Sequence, residues 1–177
     1  MRARWQGGRL GRLVLLVLLA AGLGACGFRL AGRAPLPPAY AQVYVQSEPV
    51  GDELALELAS TLAANGARVI PGARRDAAVV TLRAAPARRQ VVSVDRAGKV
   101  QEYALVLTAT LSARAPGVAD LPPTRFVRRR DYVVDEVDVL ANEAREDELL
   151  VAMRQDMVRA MLRRLAVAGD GGAALAR

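Results

Sequence analysis

A single thiol, Cys26, is the only soft nucleophile in this 177-residue chain, and there is no histidine to activate it. The absence of histidine removes the commonest general base and the Ser-His and Cys-His nucleophile pairs. It also removes zinc sites built from Cys and His together. A lone cysteine forms no intrachain disulfide, even in an oxidising compartment. The Gly169–Gly172 stretch follows a helical pattern rather than a strand, so it is not a phosphate-binding loop. Carboxylates remain, but Glu143, Glu146, Asp147 and Glu148 cluster where a helix is expected to begin. Acids there favour the positive end of the helix dipole. No catalytic constellation, metal site or cofactor site is therefore expected.

What stands before Cys26 gives its thiol a different use. Arg2, Arg4, Arg9 and Arg12 precede any acid, an apolar run extends from Leu13 to Ala21, and the segment closes Leu23-Gly24-Ala25-Cys26. A basic start, a short apolar stretch and small residues describe a secretory signal peptide over 1–25. The run falls short of the roughly 20 apolar residues that span a bilayer. Leu-Gly-Ala-Cys resembles the bacterial lipobox, which implies diacylation of the Cys26 thiol, cleavage before it and acylation of the new amino terminus. The remaining 152 residues suffice for one domain with a real core. They carry 21 basic and 18 acidic side chains, so most of the formal +7 belongs to the leader. A residual +3 on an exported chain argues against a nucleic-acid partner.

The remaining elements follow from periodicity. Residues 26–40, with three prolines between Ala31 and Pro38, read as an extended tether. A single α/β domain is expected over 41–168. Ala41–Gln46 reads as a strand. Leu54, Leu58 and Leu62 recur at i+4 in a helix stopped by Asn65-Gly66. Short strands are expected at Arg68–Ile70, Ala77–Arg83 and Arg89–Asp95, with Pro86 as a break. Val100–Arg114 is the longest strand, with Tyr103, Leu105, Leu107, Ala109, Leu111 and Ala113 facing the core. Gly98 turns a hairpin between the last two strands. Arg125–Val134 is a further, strongly basic strand. Asn142 is the expected N-cap of a helix running to about Val167. Its apolar stripe is Leu149/Leu150, Met153, Met157, Met161 and Leu165. Residues 169–177 read as a disordered tail. The fold class is α+β: a two-layer sandwich with two helices on one face of a four-stranded mixed or antiparallel sheet.

Four collinear segments resemble the LptE family of LPS-assembly lipoproteins. They are Cys26-Gly27-Phe28-Arg29-Leu30 with its tether, the amphipathic helix at 52–65, the hairpin from Ser93 to Tyr103, and Arg130-Asp131-Tyr132 through Val139-Leu140-Ala141-Asn142 into the last helix. Together they span nearly all of the chain beyond the leader. The resemblance implies an acyl-anchored lipoprotein on the periplasmic face of the outer membrane. It implies a place inside the large β-barrel LptD, plugging it and assisting its assembly, and a role in inserting lipopolysaccharide into the outer leaflet.

It further implies lipopolysaccharide binding through basic residues at the hairpin turn and before the last helix. The turn position falls on Arg96, whose guanidinium can pair with lipid A phosphates, with Lys99 beside it. The second position falls on Asn142, which is not basic, so Lys99 or Arg145 would have to supply that charge. The run Arg128, Arg129 and Arg130 can meet anionic lipid or an acidic barrel lumen, or protect a sheet edge; the edge or barrel contact is preferred. Two other classes fit the leader and layout. One is a periplasmic lipoprotein of an ABC-type lipid transporter. The other is an envelope scaffold or regulator with no lipid ligand.

Overall fold

The computed structural model describes residues 36–48, 52–135 and 137–174. The leader, Cys26 and most of the tether lie outside the described residues. After a 3-10 turn at Pro38–Tyr40 come β1 (Gln42–Glu48), α1 (Glu53–Ala64), β2 (Arg68–Val69), β3 (Ala78–Val94), β4 (Val100–Arg114), β5 (Leu121–Val133) and α2 (Val139–Ala174). The sheet order is β2-β1-β3-β4-β5. β1 is parallel to both its neighbours, while β3, β4 and β5 are antiparallel. The sheet is therefore mixed, and it has five strands rather than four because the two-residue β2 adds an edge.

Local chemistry explains the boundaries. Asp52 caps α1, its Oδ1 accepting from Leu54 N–H at 2.8 Å. Gly66 takes φ +96° just past the helix, and Ala67 N–H donates back to the Leu62 carbonyl at 3.0 Å. That left-handed residue is the stop expected at Asn65-Gly66. Pro86, in contrast, breaks nothing. β3 runs through it for 17 residues, with a register irregularity between Ala85 and Arg88. The reason is positional. β1 pairs with β3 only as far as Arg83, so beyond that point no strand among the described residues bonds to that side of β3. A proline on such an edge, at a bulge, forfeits little. The expected pair of short strands, Ala77–Arg83 and Arg89–Asp95, is thus one long one.

Both helices share one apolar core with the sheet. Leu54, Leu58 and Leu62 of α1 meet Val43, Val80, Leu82, Leu105, Leu107 and Leu111 of the sheet and Met153, Met157, Met161 and Leu165 of α2. The period-two phase of β4 holds from Leu105 to Ala113, while Thr108, Thr110 and Ser112 are half-buried on the opposite face.

Both ends of the domain extend further than the sequence suggests. Tyr40 is fully buried, and Leu36 and Ala39 pack against the core, so the domain reaches back into the expected tether. At the other end, α2 continues through the glycines to Ala174 instead of stopping near Val167. Gly169 is where α2 crosses Pro37 and Tyr40. A Cβ there would sit 2.4 Å from Pro37 Cγ and 3.2 Å from a Tyr40 ring carbon. The glycine sacrifices about 1 kcal/mol of helix propensity and permits that approach. Its role is packing rather than termination.

Candidate functional site: the hairpin arm and the start of the long helix

The candidate ligands lie at one end of the sheet, where the β3–β4 hairpin turns, β5 ends and α2 begins. The turn is rigid for identifiable reasons. Asp95 N–H donates to the Lys99 carbonyl at 2.8 Å, and Gly98 N–H donates to the Asp95 carbonyl at 3.1 Å. The Asp95 carboxylate also accepts from Ala97 N–H at 2.8 Å and Lys99 N–H at 2.9 Å. Gly98 adopts φ +82°, as a three-residue loop with a left-handed third position demands. Arg96 and Lys99 are exposed on this loop. Among the described residues none bonds or pairs with the Arg96 guanidinium.

Behind the turn, a polar cluster ties α2 to the arm. Arg89 of β3 stands beside Leu105, Tyr103 of β4 beside Tyr132 of β5, all on the helix-bearing face. Arg89 lies over the Tyr103 ring, 5.2 Å from its centroid, and the two tyrosine rings are 6.0 Å apart. One side chain of α2 gathers them. Glu146 accepts from the Tyr132 hydroxyl and pairs with Arg89 Nη2 at 3.0 Å, while remaining only 14% exposed itself. The sequence suggests a dipole role for the acids at 143–148. The helix starts earlier, at Val139, so they stand beyond its first turn, where that effect fades. The signal that could have found Glu146 is the strand register, which puts Arg89, Tyr103 and Tyr132 side by side.

Burial, the hydrogen bond to Glu146 and that carboxylate's charge push the Tyr132 phenol up to about 12, against a smaller opposing pull from Arg89. A folded value above the unfolded value near 10 adds stability that is complete below pH 10. It is lost as pH rises through about 12. Tyr40 is raised in the same direction, chiefly by burial. The parent is therefore expected to lose stability steeply between about pH 10 and pH 12 in denaturant titrations. Tyr132→Phe should start lower but lose less over that interval, with Tyr40 supplying the remainder. An unchanged slope in Tyr132→Phe would show that the phenol is not the group responsible.

The other candidate residues fall in different surroundings. Asn142 is inside α2 rather than its N-cap. The capping side chain is Asp138, whose Oδ1 accepts from Ala141 N–H at 2.9 Å. The Asn142 amide instead braces the β5–α2 connection, accepting from Asp135 N–H at 2.9 Å and donating to the Asp135 carbonyl at 2.7 Å. A strut of that kind requires an amide, which accounts for a neutral residue here. Arg145 is exposed on the next turn of α2. Arg128, Arg129 and Arg130 do not form one cationic patch. Strand alternation sends Arg128 and Arg130 to the helix side and Arg129 to the other. Arg130 pairs with Asp156 at 3.0 Å, Arg129 with Asp131 at 3.0 Å, and Arg128 reaches the Val127 carbonyl at 2.9 Å. Together with Arg159 foremost, Arg130 and Arg128 hold the Asp156 carboxyl below its usual value. β5 is a sheet edge, and these charges line it.

Comparison with known proteins agrees with this architecture. The chain is 27% identical over 154 residues to the LPS-assembly lipoprotein LptE of Pectobacterium atrosepticum, covering 86% of this chain and 82% of that one. It is 28% identical over 156 residues to the LPS-assembly lipoprotein LptE of Yersinia enterocolitica, covering 88% and 73%. Among solved structures, rare lipoprotein B from Shewanella oneidensis superposes with TM-score 0.59 at 28% identity, covering 77% of this chain and 99% of that one. A lipoprotein B from Nitrosomonas europaea shares the fold with TM-score 0.64 at 24% identity, covering 82% and 94%. The LptE family model, described as lipopolysaccharide-assembly, matches residues 40–165, from the buried Tyr40 to the buried Leu165, and the chain belongs to that family.

Proposed function

We propose that this chain is an acylated lipoprotein of the outer membrane's periplasmic face that sits in an LptD-type β-barrel and binds lipopolysaccharide through its hairpin tip. Cys26 carries the acyl chains, and two or more of them give stable attachment where one is marginal. The role is binding and assembly rather than catalysis. The observation that carries the reading is Arg96: an exposed guanidinium without a described partner, on a turn that the Asp95 carboxylate holds rigid. A preorganised guanidinium pairs with phosphate oxygens through two parallel bonds, and lipid A presents phosphates. Lys99 is the nearer helper, and Arg145 on α2 the more distant one. Arg128, Arg129 and Arg130 contribute less, since each already has a described partner.

Arg96→Ala is expected to weaken lipopolysaccharide binding about tenfold, which is about 1.4 kcal/mol, with the melting temperature nearly unchanged. Arg96→Lys should recover part of the loss, because lysine lacks the planar fork. Arg96→Asp should bind worse than alanine. If Arg96→Asp melts normally and binds as the parent does, the tip is not the site.

A further inference from the structure

The end of the molecule that carries Arg96 is also where its apolar surface is concentrated. Val91, Val92 and Val94 stand exposed on the β3 arm just before the turn, and Val133 closes β5 beside it. In the connection and first turn of α2, Val137 is 94% exposed and Leu140 76%, with Val139 between them. Seven of the twelve large apolar side chains exposed among the described residues are thus gathered at this one end. The segment holding Val137 is not loose: the Asn142–Asp135 brace and the Asp138 cap fix it. None of the seven belongs to the buried core or packs against it.

We infer that this apolar end takes the acyl chains of an anionic amphiphile whose phosphate is held at Arg96. The inference rests on the proposed phosphate site and adds the part of the ligand that site leaves unaddressed. The arrangement has a polarity: cationic side chains at the extremity, and behind them an apolar band that wraps the arm, with Val91 on the helix-bearing face and Val133 on the other. A free phosphate or an acidic peptide has no use for that band, whereas a phosphorylated glycolipid with several acyl chains matches both parts.

The test uses the full chain in phosphatidylcholine nanodiscs, with empty discs as reference. The probes are lipid A and the same diphosphorylated sugar backbone stripped of all acyl chains. The variants are Val137→Ser/Leu140→Ser together, Arg96→Ala, and Leu56→Ser as a matched exposed control on α1. The double serine variant should bind lipid A about tenfold more weakly and the stripped backbone unchanged. Arg96→Ala should weaken both probes, and Leu56→Ser neither. Melting curves of the double variant should match the parent, since the side chains are exposed. If the double variant binds lipid A as the parent does, the band serves another surface, such as an apolar protein wall, and the inference is overturned. Loss of both probes in the double variant overturns it too. Should Arg96→Ala bind both probes normally while the double variant loses only lipid A, the acyl site stands and the phosphate assignment falls.

Discussion

Leu111→Ala is expected to lower the unfolding free energy by about 2–5 kcal/mol, the range for a large-to-small change at a fully buried site. Leu111 is 0% exposed and stands opposite Leu82, also 0% exposed, on the adjoining β3. The methionines of α2 close over the same cluster. Methionine is adaptable, so partial collapse into the space should keep the loss from the top of the range. Leu107, 6% exposed and opposite Arg128, should lose less on the same truncation. Thr108, on the uncovered face between Ala85 and Val127, should lose less than about 1 kcal/mol as alanine. Urea unfolding of the three variants checks the ordering, with an unchanged m-value as the sign that only stability moved. Equal small losses at Leu111 and Thr108 would mean that β4 has the opposite phase.

That phase was legible because period two over eleven residues of β4 has only one reading against an apolar layer. The α1 stripe and its Gly66 stop were legible for similar reasons, as was Gly98 in the turn. What the sequence hid depends on partners distant in the chain. Pro86 reads locally as a break, and only the end of β1 pairing at Arg83 shows why β3 tolerates it. Gly169 reads as the first residue of a tail, and only the crossing over Pro37 shows that it is a contact. Asn142 reads as a cap, yet Asp138 caps and Asn142 braces. The Arg128–Arg130 run reads as an edge or barrel contact; it does line the β5 edge, and only the pleat shows that it is divided between two faces. The candidate tip was legible in part: the turn and its arginine could be read directly, but the apolar end beside them required knowing that β5 and α2 meet the arm there.

Glu146→Ala is the change expected to reach furthest from a partly exposed position. The carboxylate is the acceptor for the Tyr132 hydroxyl and the counter-ion of Arg89, and both partners remain when it goes. Tyr132 is 6% exposed, so its hydroxyl would be left in a place water reaches poorly. Arg89 is half exposed and keeps the Tyr103 ring, so its share of the loss is small. A bond from a buried donor to a charged acceptor is worth about 1.5–3 kcal/mol, which sets the expected loss at about 2–3 kcal/mol. Glu146→Gln should recover part of it by keeping the acceptor without the charge. Combining Glu146→Ala with Tyr132→Phe should be less damaging than the sum, since the orphaned hydroxyl is removed as well. The loss should also be local. Hydrogen exchange is expected to quicken around Tyr103, Tyr132 and the first turns of α2, while Leu82 and Leu111 keep their protection. Because the same helix start carries Val137 to Leu140 and sits beside the Arg96 turn, Glu146→Ala should weaken lipopolysaccharide binding without touching either contact. Strict additivity in the double variant would show that Glu146 and Tyr132 do not act together, and the arm would then need another explanation for its fixed position.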